Sequence, residues 1–95
     1  MFLGKYDFEG ERAELLTAYD RLMGVMPPGQ VTFHICITRP GGITVFDTCP
    51  SEADFAGFSS SPAVLGAMTA AGLPTPSVTP LGEAHPARAA ADHIV

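Results

Sequence analysis

Six side chains in this chain have types and positions suited to chemistry: Tyr6, His34, Cys36, Asp47, Cys49 and His85. Four of them fall in one stretch, VTFHICITRPGGITVFDTCPSE, from Val31 to Glu52. A histidine titrates near neutrality. A carboxylate that accepts from one ring nitrogen fixes where the proton sits and leaves the other nitrogen free as a general base. His34 and Asp47 are therefore the pair expected to do any catalysis. Tyr6, Cys36, Cys49 and His85 are expected to supply polar contacts to a substrate, with His85 at the rim. The plainer alternative makes His34 and Asp47 a polar pair at a subunit interface, or His34 a satisfied inward histidine, and the two cysteines small buried hydrophobes.

Other chemistries are poorly supported. His34, Asp47 and Cys49 offer metal-ligand atoms, but their spacing matches no zinc pattern, so no metal is expected. The cysteines form no CxxC motif and lie too far apart along neighbouring strands for a disulfide. Gly41-Gly42 is too short to cradle a phosphate, and no GxSxG, HExxH, Walker or Rossmann pattern occurs.

The elements around these residues follow from periodicity. FLGKYDF alternates Phe2, Gly4, Tyr6 and Phe8, which reads as a strand. Leu15, Tyr19, Leu22 and Met26, joined by Leu16 and Met23, make one apolar stripe on a helix, and Tyr19 is expected in the core. Glu9, Glu11 and Glu14 cluster at the start of that helix, where its dipole favours them. Gly24 and Pro27–Gly29 end it. VTFHICIT and ITVFDTC read as two strands of a hairpin. Ser51 is a natural N-cap for the next helix, with Asp54 three residues on. Ser61-Pro62 restarts it, and Gly72 closes it. Ser77 to His85 is a weaker strand whose Pro80 belongs at an edge or a bulge. PARAAADHIV reads as a short helix or a frayed end. The order β-α-β-β-α-β is the ferredoxin-like arrangement: α+β, a four-stranded antiparallel sheet with both helices on one face, in a single domain spanning 1–95.

The hairpin decides which residues meet. With Gly41 and Gly42 as the central turn residues, Pro40 faces Ile43, Cys36 faces Asp47, His34 faces Cys49 and Thr38 faces Val45. Opposed residues point to one side. On this reading the polar set occupies the helix-free face. Phe33, Ile35 and Ile37, with Thr44, Phe46 and Thr48, pack under the helices.

Composition narrows the partners. The chain has 95 residues, 46% of them hydrophobic, which is apolar for its length. A small domain buries a limited share of its surface, so the excess is expected at an interface with a second copy. The net charge is −5, and Lys5, Arg12, Arg21, Arg39 and Arg88 are scattered. No basic face forms from them, which argues against nucleic acid and anionic membranes. No apolar run approaches the roughly 20 residues of a membrane span, and no signal peptide is evident. A cytoplasmic protein with reduced thiols is the expectation.

The strand–Gly-Gly–strand hairpin, the step VFDTCPSEADF into the second helix, and AAGLPTPSVTP before the last strand together resemble the dimeric α+β barrel superfamily. They are similar to small uncharacterised members related to the antibiotic-biosynthesis monooxygenases. The likeness spans residues 2 to 85. It implies a homodimer whose two sheets pack face to face, and a cleft between sheet and helices that binds a small molecule. Members include cofactor-independent monooxygenases, haem-degrading enzymes, lactone isomerases, dehydratases and chlorite-dismutase-like proteins.

Three readings stay open. The first is an enzyme acting on a hydrophobic or aromatic small molecule without a cofactor. His34 is its base and Asp47 the orienter, and Phe33 or Phe46, the methionines and Val78 line the pocket. The second is a non-catalytic ligand-binding protein, and the third is a purely structural dimer.

Overall fold

The structure, a computed structural model, describes residues 1–26 and 33–85. Residues 27–32, read above as a helix stop and a strand start, and the tail 86–95, read as a short helix or a frayed end, lie outside them.

Seven elements follow one another: β1 (Phe2–Glu9), α1 (Arg12–Val25), β2 (Phe33–Arg39), β3 (Gly42–Cys49), α2 (Glu52–Ser59), α3 (Pro62–Ala71) and β4 (Ser77–Glu83). The four strands make one antiparallel sheet in the order β2-β3-β1-β4. That is an α+β architecture with the strand order of a ferredoxin-like βαββαβ unit, its second helix split in two. The split lies at Ser60–Ser61. Ser51 caps α2, accepting from the Asp54 amide and donating to its carboxylate. Pro62 starts α3 and Gly72, in the left-handed region, closes it.

The core lies on one side of the sheet. Phe2, Tyr6 and Phe8 of β1 and Ile43, Val45 and Cys49 of β3 are buried with Leu15, Ala18, Leu22, Phe55, Met68, Ala71 and Leu73. These side chains belong to the alternate positions of β1 and their β3 partners, so one parity of each strand faces the helices. Gly4 falls in this row because a Cβ there would stand 2.0 Å from the Phe55 ring. Phe55 uses the gap to pack against both Phe2 and Tyr6, at centroid distances of 5.6 and 5.8 Å.

The hairpin turns one residue earlier than the sequence suggested. Arg39 pairs with Gly42, so Pro40 and Gly41 are the central residues. Proline pre-sets the first turn position, and Gly41 takes the positive φ, +84°, that the second requires in a type II turn. Gly42 is needed for space: a Cβ there would lie 2.0 Å from the carbonyl oxygen of Phe8 on β1. The pairings consequently become His34–Asp47, Cys36–Val45 and Thr38–Ile43, each displaced by two from the expected register. A displacement of two preserves parity, so the polar set still shares one face.

That face is the helix side, which reverses the expectation. His34 is partnered through Asp47 with Gly4, on the row beneath α2, and its ring stacks on Tyr19 of α1. The helix-free face instead carries Phe33, Ile35 and Ile37, which are 57%, 45% and 41% exposed. Thr48, Phe46 and Thr44 lie beside them, then Leu3, Lys5 and Asp7. Phe33 and Phe46 accordingly do not line a pocket with His34.

β4 forms an edge of the sheet, as Pro80 requires. Its register against β1 shifts between Gly82 and Pro80. Among the described residues, no helix is long and apolar enough to cross a membrane.

Candidate functional site

Directly opposed positions on antiparallel strands hold their Cβ atoms about 5 Å apart, close enough for short side chains to touch. Asp47 on β3 and His34 on β2 occupy such positions. The His34 Nδ1 lies 2.6 Å from Asp47 Oδ1. The Asp47 side chain is only 5% exposed and that of His34 28%. A buried carboxylate requires a donor, and the imidazole N–H is that donor. The proton on Nδ1 leaves Nε2 of the neutral ring as an acceptor. The hydroxyl of Tyr19, one helical step from the buried Ala18, donates to it. The two rings lie nearly parallel, 11° apart, with centroids 5.5 Å apart.

A three-membered chain results: Tyr19 hydroxyl, His34 imidazole, Asp47 carboxylate. Its ends belong to different elements. α1 supplies the hydroxyl at the margin of its apolar stripe, and the β2–β3 ladder supplies the acid and base. Burial, aided by the neighbouring Cys36 and Asp47, pushes the Tyr19 phenol up to about 12. The phenol is therefore a neutral donor over the physiological range. In chemical terms, the Tyr19 hydroxyl can pass its own proton to Nε2 as its oxygen takes up another, and Asp47 stabilises the resulting imidazolium.

Tyr6 lies on the same side of β1, opposite Val45 and diagonal to Asp47. It is 1% exposed, and its hydroxyl has no hydrogen-bond partner. Burial above all, then the charge of Asp47, raises its pKa far above the ordinary tyrosine value. The cysteines are thiols. Burial and then Asp20 raise Cys36, while burial and then Asp47 and Asp54 raise Cys49. A raised pKa argues against a nucleophilic thiolate at either position. Both are free; Cys49 is buried and Cys36 half-buried.

The expected contact residues are thus only partly assembled. Tyr6, Cys36 and Cys49 share the helix side of the sheet with His34 and Asp47. His85 does not join them. It follows β4, the opposite edge strand, and is exposed. Three inter-strand spacings, about 14 Å, separate the two edges. Val78 also belongs to that far edge. A cavity of about 90 Å³ lies between α3 and the segment leading to β4, lined by Leu65, Met68, Thr69, Pro74, Thr75 and Pro76, none of which belongs to the polar set. Among the described residues, no three His, Cys, Asp or Glu side chains are grouped to hold a metal ion.

Sequence reasoning missed Tyr19, which was assigned to the core. The periodicity gave no signal for this role, since Tyr19 falls within the apolar stripe; in the structure it is half-buried beside the buried Leu15, Ala18 and Leu22. Comparison of the chain with models of protein families, with curated proteins and with solved structures found no match.

Proposed function

We propose that this chain is a homodimeric enzyme that moves a proton on a hydrophobic or aromatic small molecule, as isomerases and cofactor-independent oxygenases do in their first step. The observation that carries the reading is the His34 imidazole held between the Asp47 carboxylate and the Tyr19 hydroxyl. An oriented, half-buried imidazole with a carboxylate behind it is the arrangement general-base catalysis needs. The reaction class is abstraction of a proton next to a carbonyl: the Tyr19 oxygen takes the substrate proton as its own passes to His34 Nε2, which leaves an enolate and an imidazolium. Cys36 and Cys49 contribute shape as neutral thiols. No cofactor is required by this chemistry. The dimer closes the helix-free face, where Phe33, Ile35 and Ile37 stand in one exposed row.

One observation favours a second reading. The His34 Nε2 is already occupied by Tyr19, which suits a polar clasp fastening α1 to an edge strand in a non-catalytic ligand-binding or purely structural dimer.

Solvent exchange separates the two. An aryl methyl ketone such as acetophenone is incubated in D2O with the protein and followed by proton NMR. The enzyme reading expects loss of the methyl signal faster than in buffer, and return to the buffer rate in His34→Ala. Equal rates for wild type, His34→Ala and buffer leave the clasp.

A further inference from the structure

The orphaned Tyr6 hydroxyl demands an account. A buried hydroxyl without a partner is costly, and nearly all buried polar groups avoid that cost. Tyr6 is 1% exposed, at the centre of β1, which is an inner strand of the sheet. Its register neighbour Gly4 pairs with Asp47, which puts Tyr6 on the diagonal from that carboxylate, within reach of a long side chain. Cys49, fully buried, stands on the other side of Asp47 in the same row of β3.

The covering of this place is also unusual. Phe55 sits over Gly4 in a notch that any side chain at residue 4 would fill, and its ring centroid lies 5.8 Å from that of Tyr6. An aromatic ring therefore already packs against the ring that carries the unpartnered hydroxyl and above the residue paired with Asp47.

We propose that the Tyr6 hydroxyl is the internal donor for an acceptor oxygen of the bound molecule, which makes that ligand a hydrophobic carbonyl compound rather than a hydrocarbon. The inference rests on the proton-transfer reading given above and names its substrate class. Tyr6 remains a neutral phenol, so it gives its proton as a hydrogen bond to the carbonyl oxygen and keeps it. That bond stabilises the negative charge an enolate would place there. Phe55 is the ring the ligand displaces on entry.

A matched pair of probes tests this without relying on turnover. Acetophenone and α-methylstyrene have nearly the same shape, but only the first has an oxygen to accept a hydrogen bond. Both are titrated into labelled wild type and Tyr6→Phe while backbone amide shifts are followed by NMR. The same comparison is made in a Phe55→Ala background, where the ring no longer competes. The expected result is that Tyr6→Phe binds acetophenone about tenfold more weakly while its affinity for α-methylstyrene is unchanged. Equal affinities of the two proteins for acetophenone overturn the role of Tyr6; the hydroxyl then serves an internal water or nothing, and the proton-transfer reading stands or falls on the exchange experiment. Binding of neither probe, with or without Phe55, overturns the ligand class together with the site it was drawn from.

Discussion

The imidazole of His34 and the carboxylate of Asp47 face each other across the β2–β3 ladder, with Nδ1 2.6 Å from Oδ1. The pair is a consequence of the Pro40–Gly41 turn: one register step of two residues would place Cys36, not His34, against the carboxylate. Their stability contribution is asymmetric. Asp47 is 3% exposed, so removing its partner leaves a charge with neither water nor a donor.

His34→Ala is therefore expected to destabilise the fold by about 2 kcal/mol, and Asp47→Asn by less, because the amide oxygen still accepts from Nδ1. Urea unfolding monitored by circular dichroism measures both. Nitrogen-15 spectra of the imidazole provide the second check: wild type shows the proton on Nδ1, and Asp47→Asn redistributes it between the two nitrogens. Equal stabilities with unchanged tautomers would show that the contact is not formed in solution.

Tyr19→Phe removes only the donor to Nε2. A loss of about 1 kcal/mol is expected, with a shift of the Nε2 resonance and no change at Nδ1. If proton transfer enters through Tyr19, the same variant slows ketone exchange without weakening acetophenone binding. Full exchange activity in Tyr19→Phe would move the entry point elsewhere.

Both tyrosines should be silent in the usual alkaline titration. Tyr19 is pushed up to about 12 from an ordinary 10.0, and Tyr6 further. A raised pKa favours the protonated phenol in the folded state. Its stability contribution is complete below pH 10.0, the unfolded value, and is lost as pH rises toward 12. Absorbance at 295 nm should therefore stay flat through pH 10 in the folded protein and rise there in urea. At the acid end the sign reverses for Asp7. The Thr44 hydroxyl, ahead of Lys5 and Arg39, holds its carboxyl below 3.8 despite the opposing cost of burial, and that contribution fades as pH falls through the lowered value. Tyrosinate absorbance appearing at pH 10 without unfolding would contradict the desolvation of the two phenols.

The helix-free face gives an assembly prediction. Ile35 is central in the exposed row of β2, between Phe33 and Ile37, and lies beside Phe46. Beyond that row the face becomes polar: Arg39 pairs with Glu9 at 3.0 Å and Lys5 with Asp7 at 3.1 Å. Ile35→Lys puts a charge in the apolar half and should halve the mass seen by light scattering while leaving the circular dichroism spectrum unchanged. A wild-type chain that is already monomeric at micromolar concentration would refute the dimer.

Gly4→Ala tests the packing of α2. The new methyl group would sit 2.0 Å from the Phe55 ring, so ring or strand must shift, at an expected cost of about 1–3 kcal/mol. Phe55→Ala should cost about as much or more on its own by opening a cavity. The double variant should be more stable than the two losses added together, since the clash disappears with the ring. Strict additivity would mean that Phe55 does not occupy the notch.

Much of this was readable in the chain itself. Alternation in FLGKYDF marked β1 and its buried parity, Ser51 and Gly72 marked helix ends, and Pro80 marked an edge. The parity shared by His34, Cys36, Asp47 and Cys49 also followed from sequence, because any two-residue turn, whether Gly41-Gly42 or the observed Pro40-Gly41, keeps those positions on one side of the sheet. Which side was a different matter. In β2 the apolar residues Phe33, Ile35 and Ile37 pointed to the core, yet they face away from the helices. Parity across a hairpin is set by local turn chemistry. The choice of face is set by β1, whose Phe2, Tyr6 and Phe8 carry the core, and by the path of α1 that brings Tyr19 onto His34. Alternation relates neighbours along and across strands and holds no information about where a helix lands. Only the packed chain joins Tyr19 to a residue fifteen positions away and leaves Tyr6 without a partner in its interior.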